Sequence, residues 1–159
     1  MIRFTFAILF ALLTVYDLAF AGVVDLQGYW IRTNAQPGER PIQFIRIADS
    51  YRAQSQEKFF EYGRLSYTID QSVKLPVSAA SSFQGTVDFY DSRGCTFKAL
   101  PVVVEVQNEF TINVLMTVPR YKFLTYTREP QNRWERPTVI RKECKVLEYV
   151  ESAVQLYRM

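Results

Sequence analysis

The sequence predicts an all-β domain, and three features lead there. The clearest is alternation: Phe110, Ile112, Val114, Met116 and Val118 point one way while Thr111, Asn113 and Thr117 point the other, with Leu115 the only exception. The second is composition. Ten Tyr, twelve Phe and many Val and Ile favour strands over helices. The third is punctuation, since turn-forming clusters separate short apolar segments along the chain. Eight or nine short strands joined in order suit a closed up-and-down barrel or a sandwich.

The chain opens on an export signal. Arg3 supplies a positive start, Phe4 to Tyr16 is almost wholly apolar, and Ala19-Phe20-Ala21 offers an A-x-A cleavage site. The apolar run is shorter than the roughly 20 residues a spanning helix needs. Gly22 follows the cut, where a lipoprotein would carry cysteine. Residues 1–21 are therefore expected to be a cleaved signal peptide, and residues 22–159 one exported domain, periplasmic or secreted. No N-x-S/T sequon is present, which favours a bacterial periplasm.

The elements then follow in order. Tyr29 to Thr33 reads as a first strand, and Asn34 to Arg40 as a loop around Pro37-Gly38. Ile42 to Ile47, Phe59 to Ile69 and a short Ser72 to Leu75 are further strand candidates. Ser78 to Ser82 is a small polar loop placed at a barrel mouth. Val87 and Phe89 lead to the turn cluster Asp91-Ser92-Arg93-Gly94, and Cys95 to Ala99 resumes extended. Val102, Val104 and Val106 form a strand that Asn108-Glu109 joins to the alternating segment 110–118. Pro119-Arg120 separates that segment from Tyr121 to Arg128, so that the three make a meander. Arg128 to Glu143, with Pro130 and Pro137, reads as a crossing loop. The tail is ambiguous, and Val146, Leu147, Val150, Val154 and Tyr157 lean slightly towards a helix.

Cys95 and Cys144 are the only cysteines. In an oxidising compartment an even count points to one structural bridge, and the absence of C-x-x-C spacing and of histidine argues against redox or metal use.

Gly28-Tyr29-Trp30 is a G-x-W that opens the first strand soon after the predicted cut. With the sequential strands behind it, the chain resembles the lipocalins and the wider calycin-type group of small barrels. That resemblance covers roughly residues 26 to 145. It implies an antiparallel up-and-down barrel of about eight strands, in which Trp30 caps the closed end. It further implies an arginine after the last strand that packs across the indole, a part that falls to Arg128 in Leu124-Thr-Tyr-Thr-Arg128. It also implies a C-terminal segment tied to the wall by the Cys95–Cys144 bridge. The T-D-Y motif of the family is missing, and the corresponding turns read Val118-Pro-Arg-Tyr121 or Gln107-Asn-Glu109.

A barrel of this kind offers its interior for binding. The inward candidates are Phe89, Phe97, Val104, Phe110, Ile112, Val114, Met116 and Phe123, which would line a cup for a small apolar ligand. The same residues could instead fill the barrel and leave it to act through its surface, as an envelope structural factor or inhibitor. The region from Arg120 to Lys145 would then be the interface. It carries eight basic residues against three glutamates, in a chain whose formal charge is only +3, and suits an anionic surface or protein partner. Trp134 sits among these arginines, where it could contact lipid headgroups or a partner, but the favoured expectation is that it folds back over one barrel end.

No reaction centre assembles in the sequence. There is no histidine and no Gly-rich phosphate loop. Asp88 with Asp91, or Glu57 with Glu61, could be the paired carboxylates of a glycosidase, but they read better as surface acids. The expectation is a non-enzyme with no cofactor, no metal and no nucleic-acid partner. An eight-stranded outer-membrane barrel is the less favoured alternative, because many of these strands are too short to span.

Overall fold

The computed structural model describes residues 24–159; the predicted signal peptide at 1–21 lies outside them. Eight antiparallel strands follow one another around a closed barrel. They are β1 (Gly28–Arg32), β2 (Ile42–Ile47), β3 (Ser50–Glu61), β4 (Arg64–Pro76), β5 (Ser82–Asp91), β6 (Thr96–Asn108), β7 (Thr111–Arg128) and β8 (Thr138–Arg158). Each strand pairs with its sequence neighbour, and β1 closes the ring on β8 through Trp30↔Arg158 and Arg32↔Leu156. The predicted all-β, up-and-down architecture is the one observed.

Alternation decides what faces inward. On β3, Tyr51 and Ala53 are buried while Arg52, Gln54 and Gln56 face solvent. Across β5 and β6, Phe83 pairs with Val104 and Phe89 with Phe97, both inward. Apolar residues fill the inside, while the outside is mixed, with charged and polar side chains beside exposed Tyr29, Ile45, Ile47, Leu115 and Tyr157. The core gathers at the end where β1 begins. Trp30, Leu26, Tyr51, Leu75, Phe83, Ile112 and Leu156 are packed there with essentially no exposure. Gly85 permits part of this packing, because a Cβ at that position would lie 2.0 Å from the Lys74 carbonyl oxygen across β4.

Strand heights differ greatly. β1 and β2 have five and six residues, whereas β7 and β8 have eighteen and twenty-one. Beyond Met116, β7 leaves β6 and pairs only with β8, up to Arg128↔Thr138. The β3–β4 hairpin likewise rises past its neighbours, to a tip at Tyr62 and Gly63. The barrel is therefore low on one side and carries two tall hairpin arms on the other.

Several expected elements need correction. The slightly favoured C-terminal helix is strand throughout, because β7 offers a partner edge that local spacing cannot reveal. The expected crossing loop is only residues 129–137, and its second half belongs to β8. Residues 59–69 are not one strand but the tip of a hairpin, turned by Tyr62 and Gly63 at positive φ. Pro119-Arg120 does not end a strand. β7 runs through it, since Pro119 lies where no β6 strand needs its missing N–H, and the irregularity is a bulge between Arg120 and Tyr121. Ser78 to Ser82 belongs to the packed end, where the Ser81 carbonyl accepts from Val106 N–H, rather than to the mouth.

Candidate functional site

The low side of the barrel opens a cup. Above the packed end lies a small apolar chamber of about 50 Å³, floored by Phe44, Ala53, Val73, Val114, Met116, Val154 and Leu156. It adjoins a wide, mostly polar opening of about 1020 Å³. Arg32, Ile42, Gln54, Ser55 and Gln71 line both. The opening follows from pairing. β3 pairs with β2 only as far as Ala53, so its upper edge from Gln54 faces the Thr33–Pro41 loop across a gap.

Charge in the mouth is mixed. Arg32, Arg40 and Lys58 stand with Glu39, Glu57 and Asp70. Arg32 projects inward beside Leu156, and its Nε lies 3.1 Å from Glu39 Oε1. That pair is half in water, so its net worth is small, on the order of 1 kcal/mol or less, and an incoming anion could replace the glutamate.

The predicted lining residues separate into three groups. Val114 and Met116 do line the chamber. Phe89, Phe97, Val104 and Ile112 are inward and buried, but they fill the barrel rather than line open space. Phe110 is a correction: it sits in the β6–β7 turn, 58% exposed, because the strand starts one residue later at Thr111. Phe123 is half-buried and packs outside the chamber against Arg93, whose Cζ lies 4.7 Å from its ring centroid.

Trp30 is fully buried at the packed end, with its Nε1 donating to the Leu26 carbonyl at 2.9 Å. Gly28 has φ +136°, a backbone region that L side chains rarely adopt, which accounts for the glycine of the motif. The arginine over the indole is not Arg128. Arg128 ends β7 in the exposed arm, opposite Thr138. Arg158 takes the position instead, with its Cζ 4.8 Å from the Trp30 centroid and its Nη2 donating to the Asp25 carbonyl. Reading the tail as helix displaced the last strand, and the arginine was displaced with it.

The Cys95–Cys144 bridge forms as predicted. Beside it lies a polar knot. Asp91 is buried and accepts from the Arg93 guanidinium at 2.7 Å, from the Arg93 backbone N–H at 2.8 Å and from the Tyr121 hydroxyl. Burial alone would raise the Asp91 carboxyl, but these donors outweigh it and hold it below the usual range. Burial and the Asp91 contact push the Tyr121 hydroxyl well above its ordinary value. Arg93 lies between two rings, 3.6 Å from the Tyr67 centroid on one side and near Phe123 on the other. Asp88 accepts from Ala99 N–H at 2.7 Å and holds the bulge where Ala99 takes a positive φ. Both aspartates are thus committed to structure, and no group of three or more candidate ligands for a metal occurs among the described residues.

No family model, curated protein or solved structure matches this chain. Its function must be argued from the cup and the surface.

Arg32, Ser55 and Gln71 are the site residues that sequence reading missed. Polar side chains at inward positions of otherwise alternating strands were the available signal.

Proposed function

We propose that this is an exported, non-catalytic carrier of the lipocalin-like type, which holds a small amphipathic molecule in its cup. One observation carries the reading: a small apolar chamber and a charged mouth share part of their lining, and Arg32 belongs to both. The chamber holds only about one to two times the share of liquid volume of a water molecule, so it suits a short apolar group and not a long acyl chain. An anionic head would sit against Arg32, in the place of Glu39. The lipocalin assignment draws support from Trp30 at the packed end and Arg158 across its indole. The disulfide fits an oxidising compartment.

Native mass spectrometry of the protein purified from an oxidising compartment, before and after organic extraction, tests this. A small co-purifying molecule lost on extraction, and bound more weakly by Arg32→Ala, is the expected result. A clean mass that stays unchanged after incubation with short-chain carboxylates and aromatic acids would overturn it. The second reading, a filled barrel acting through its surface, would then stand; the solid packing of the lower half already favours it.

A further inference from the structure

We propose that the two hairpin tips at the open end form a docking surface for an anionic phospholipid bilayer. The surface is independent of whether the cup holds a ligand.

The argument begins with how the tips are held. Arg93 lies against Tyr67 of the β3–β4 arm and Phe123 of the β7–β8 arm. Tyr67 is five positions from Tyr62, and Phe123 is five from Arg128. At about 3.3 Å per residue, both arms therefore reach roughly 15 Å beyond one common clamp. Phe59 stacked on Tyr67 at 4.4 Å and the Cys95–Cys144 bridge stiffen the two bases. Connections β3–β4 and β7–β8 leave the barrel at the same end, so the tips point the same way.

The tips carry side chains that do not belong in water. Tyr62 is fully exposed, Trp134 is 84% exposed, and Phe60, Leu65 and Ile140 are more than half exposed. Trp134 does not fold back over the barrel. Asn132 Oδ1 accepts from the N–H groups of Trp134 and Glu135, both at 3.1 Å, and this turn presents the indole outward. Around these residues stand Arg64, Arg128, Arg133, Arg136 and Lys142, none of which forms an ion pair among the described residues. Glu61, Glu129 and Glu135 are the only acids at the tips, so the net charge there is positive. Aromatic rings beside arginines match the interfacial zone of a membrane, where rings enter the headgroup layer and cations meet phosphates. Charge complementarity thus selects an anionic bilayer as occupant.

Co-sedimentation with phosphatidylcholine vesicles, with and without phosphatidylglycerol, tests the surface. Binding is expected only with the anionic lipid and should weaken as salt rises. Trp134 emission should shift to the blue on binding, whereas Trp30, already buried, should not respond. Arg133→Glu with Arg136→Glu should cut vesicle affinity roughly 25-fold or more, since each cation near such a surface contributes about fivefold. Trp134→Ser should abolish the emission shift and weaken binding, with the near-ultraviolet signal of Trp30 showing an intact fold. Lack of binding to anionic vesicles would overturn the proposal, as would binding that ignores both substitutions. Binding to polyglutamate but not to vesicles would also overturn it, and would assign the tips to an acidic protein.

Discussion

Trp30 is held from two directions, by its own hydrogen bond to Leu26 and by the Arg158 guanidinium across its face. A cation–π contact of this kind contributes about 0.5–2 kcal/mol. Arg158→Ala should therefore lower the melting temperature by several degrees and shift Trp30 emission, while Arg128→Ala should leave both unchanged; thermal scans with fluorescence read the difference. Gly85→Ala should cost about 1–3 kcal/mol or more, because the new methyl meets a backbone carbonyl that cannot yield cheaply. Asp91 makes stability depend on pH. Its carboxyl titrates lower in the folded state than in the unfolded chain, so its contribution is present above about pH 4 and is lost as pH falls through the depressed value. Tyr121 acts at the other extreme. Its raised value keeps its contribution intact below about pH 10 and removes it as pH rises further. Urea titrations across pH should show that Asp91→Asn flattens the acid limb and Tyr121→Phe the alkaline one.

At the scale of elements, the β7–β8 arm poses the main physical problem. Above Met116 it has no β6 beneath it, and most of its upper residues are exposed on both faces. An isolated two-stranded hairpin is marginal in water. The arm persists because the Cys95–Cys144 bridge, the Asp91–Tyr121 bond and the Phe97–Tyr121 ring contact fasten it to the β5–β6 turn. The bridge spans a sequence separation of 49, worth about 4 kcal/mol in the chain-entropy account. Replacing both cysteines by serine should lower stability by about that amount. It should also raise amide exchange selectively in residues 120–151, with β1 and the lower half of β7 still protected. Uniform loss of protection would show that the bridge holds the barrel and not the arm.

For the whole molecule, ring closure joins β1 to β8 across almost the full length of the chain. Such non-local pairing cannot form until the intervening strands are in place, so folding with the disulfide intact should take milliseconds to seconds. Stopped-flow refolding followed by Trp30 emission measures this, and a microsecond phase with full amplitude would contradict it. The same unequal strand heights that leave closure to a few residues of β1 also leave the cup open on that side. Filling the chamber should therefore leave closure intact. Val114→Phe is expected to stay folded while losing ligand, which calorimetry with the extracted molecule would show.

The closed barrel with a tryptophan at its end was what the resemblance carried by Gly28-Tyr29-Trp30 implied; alternation, turn chemistry and the cysteine pair were enough to predict eight or nine sequential strands and one bridge. These are properties of period and local backbone preference, and they can be read from a few consecutive residues at a time. What only the tertiary structure decided depends on which distant strand supplies a partner. The tail from Glu143 has spacing compatible with helix or strand, and the long edge of β7 settled it as β8. That in turn gave the Trp30 contact to Arg158 rather than Arg128, while Phe110 fell in the β6–β7 turn and Phe89 and Phe97 became filling. The cup itself was not legible, because a cavity is the space that side chains from six strands fail to fill, and no one strand carries that information.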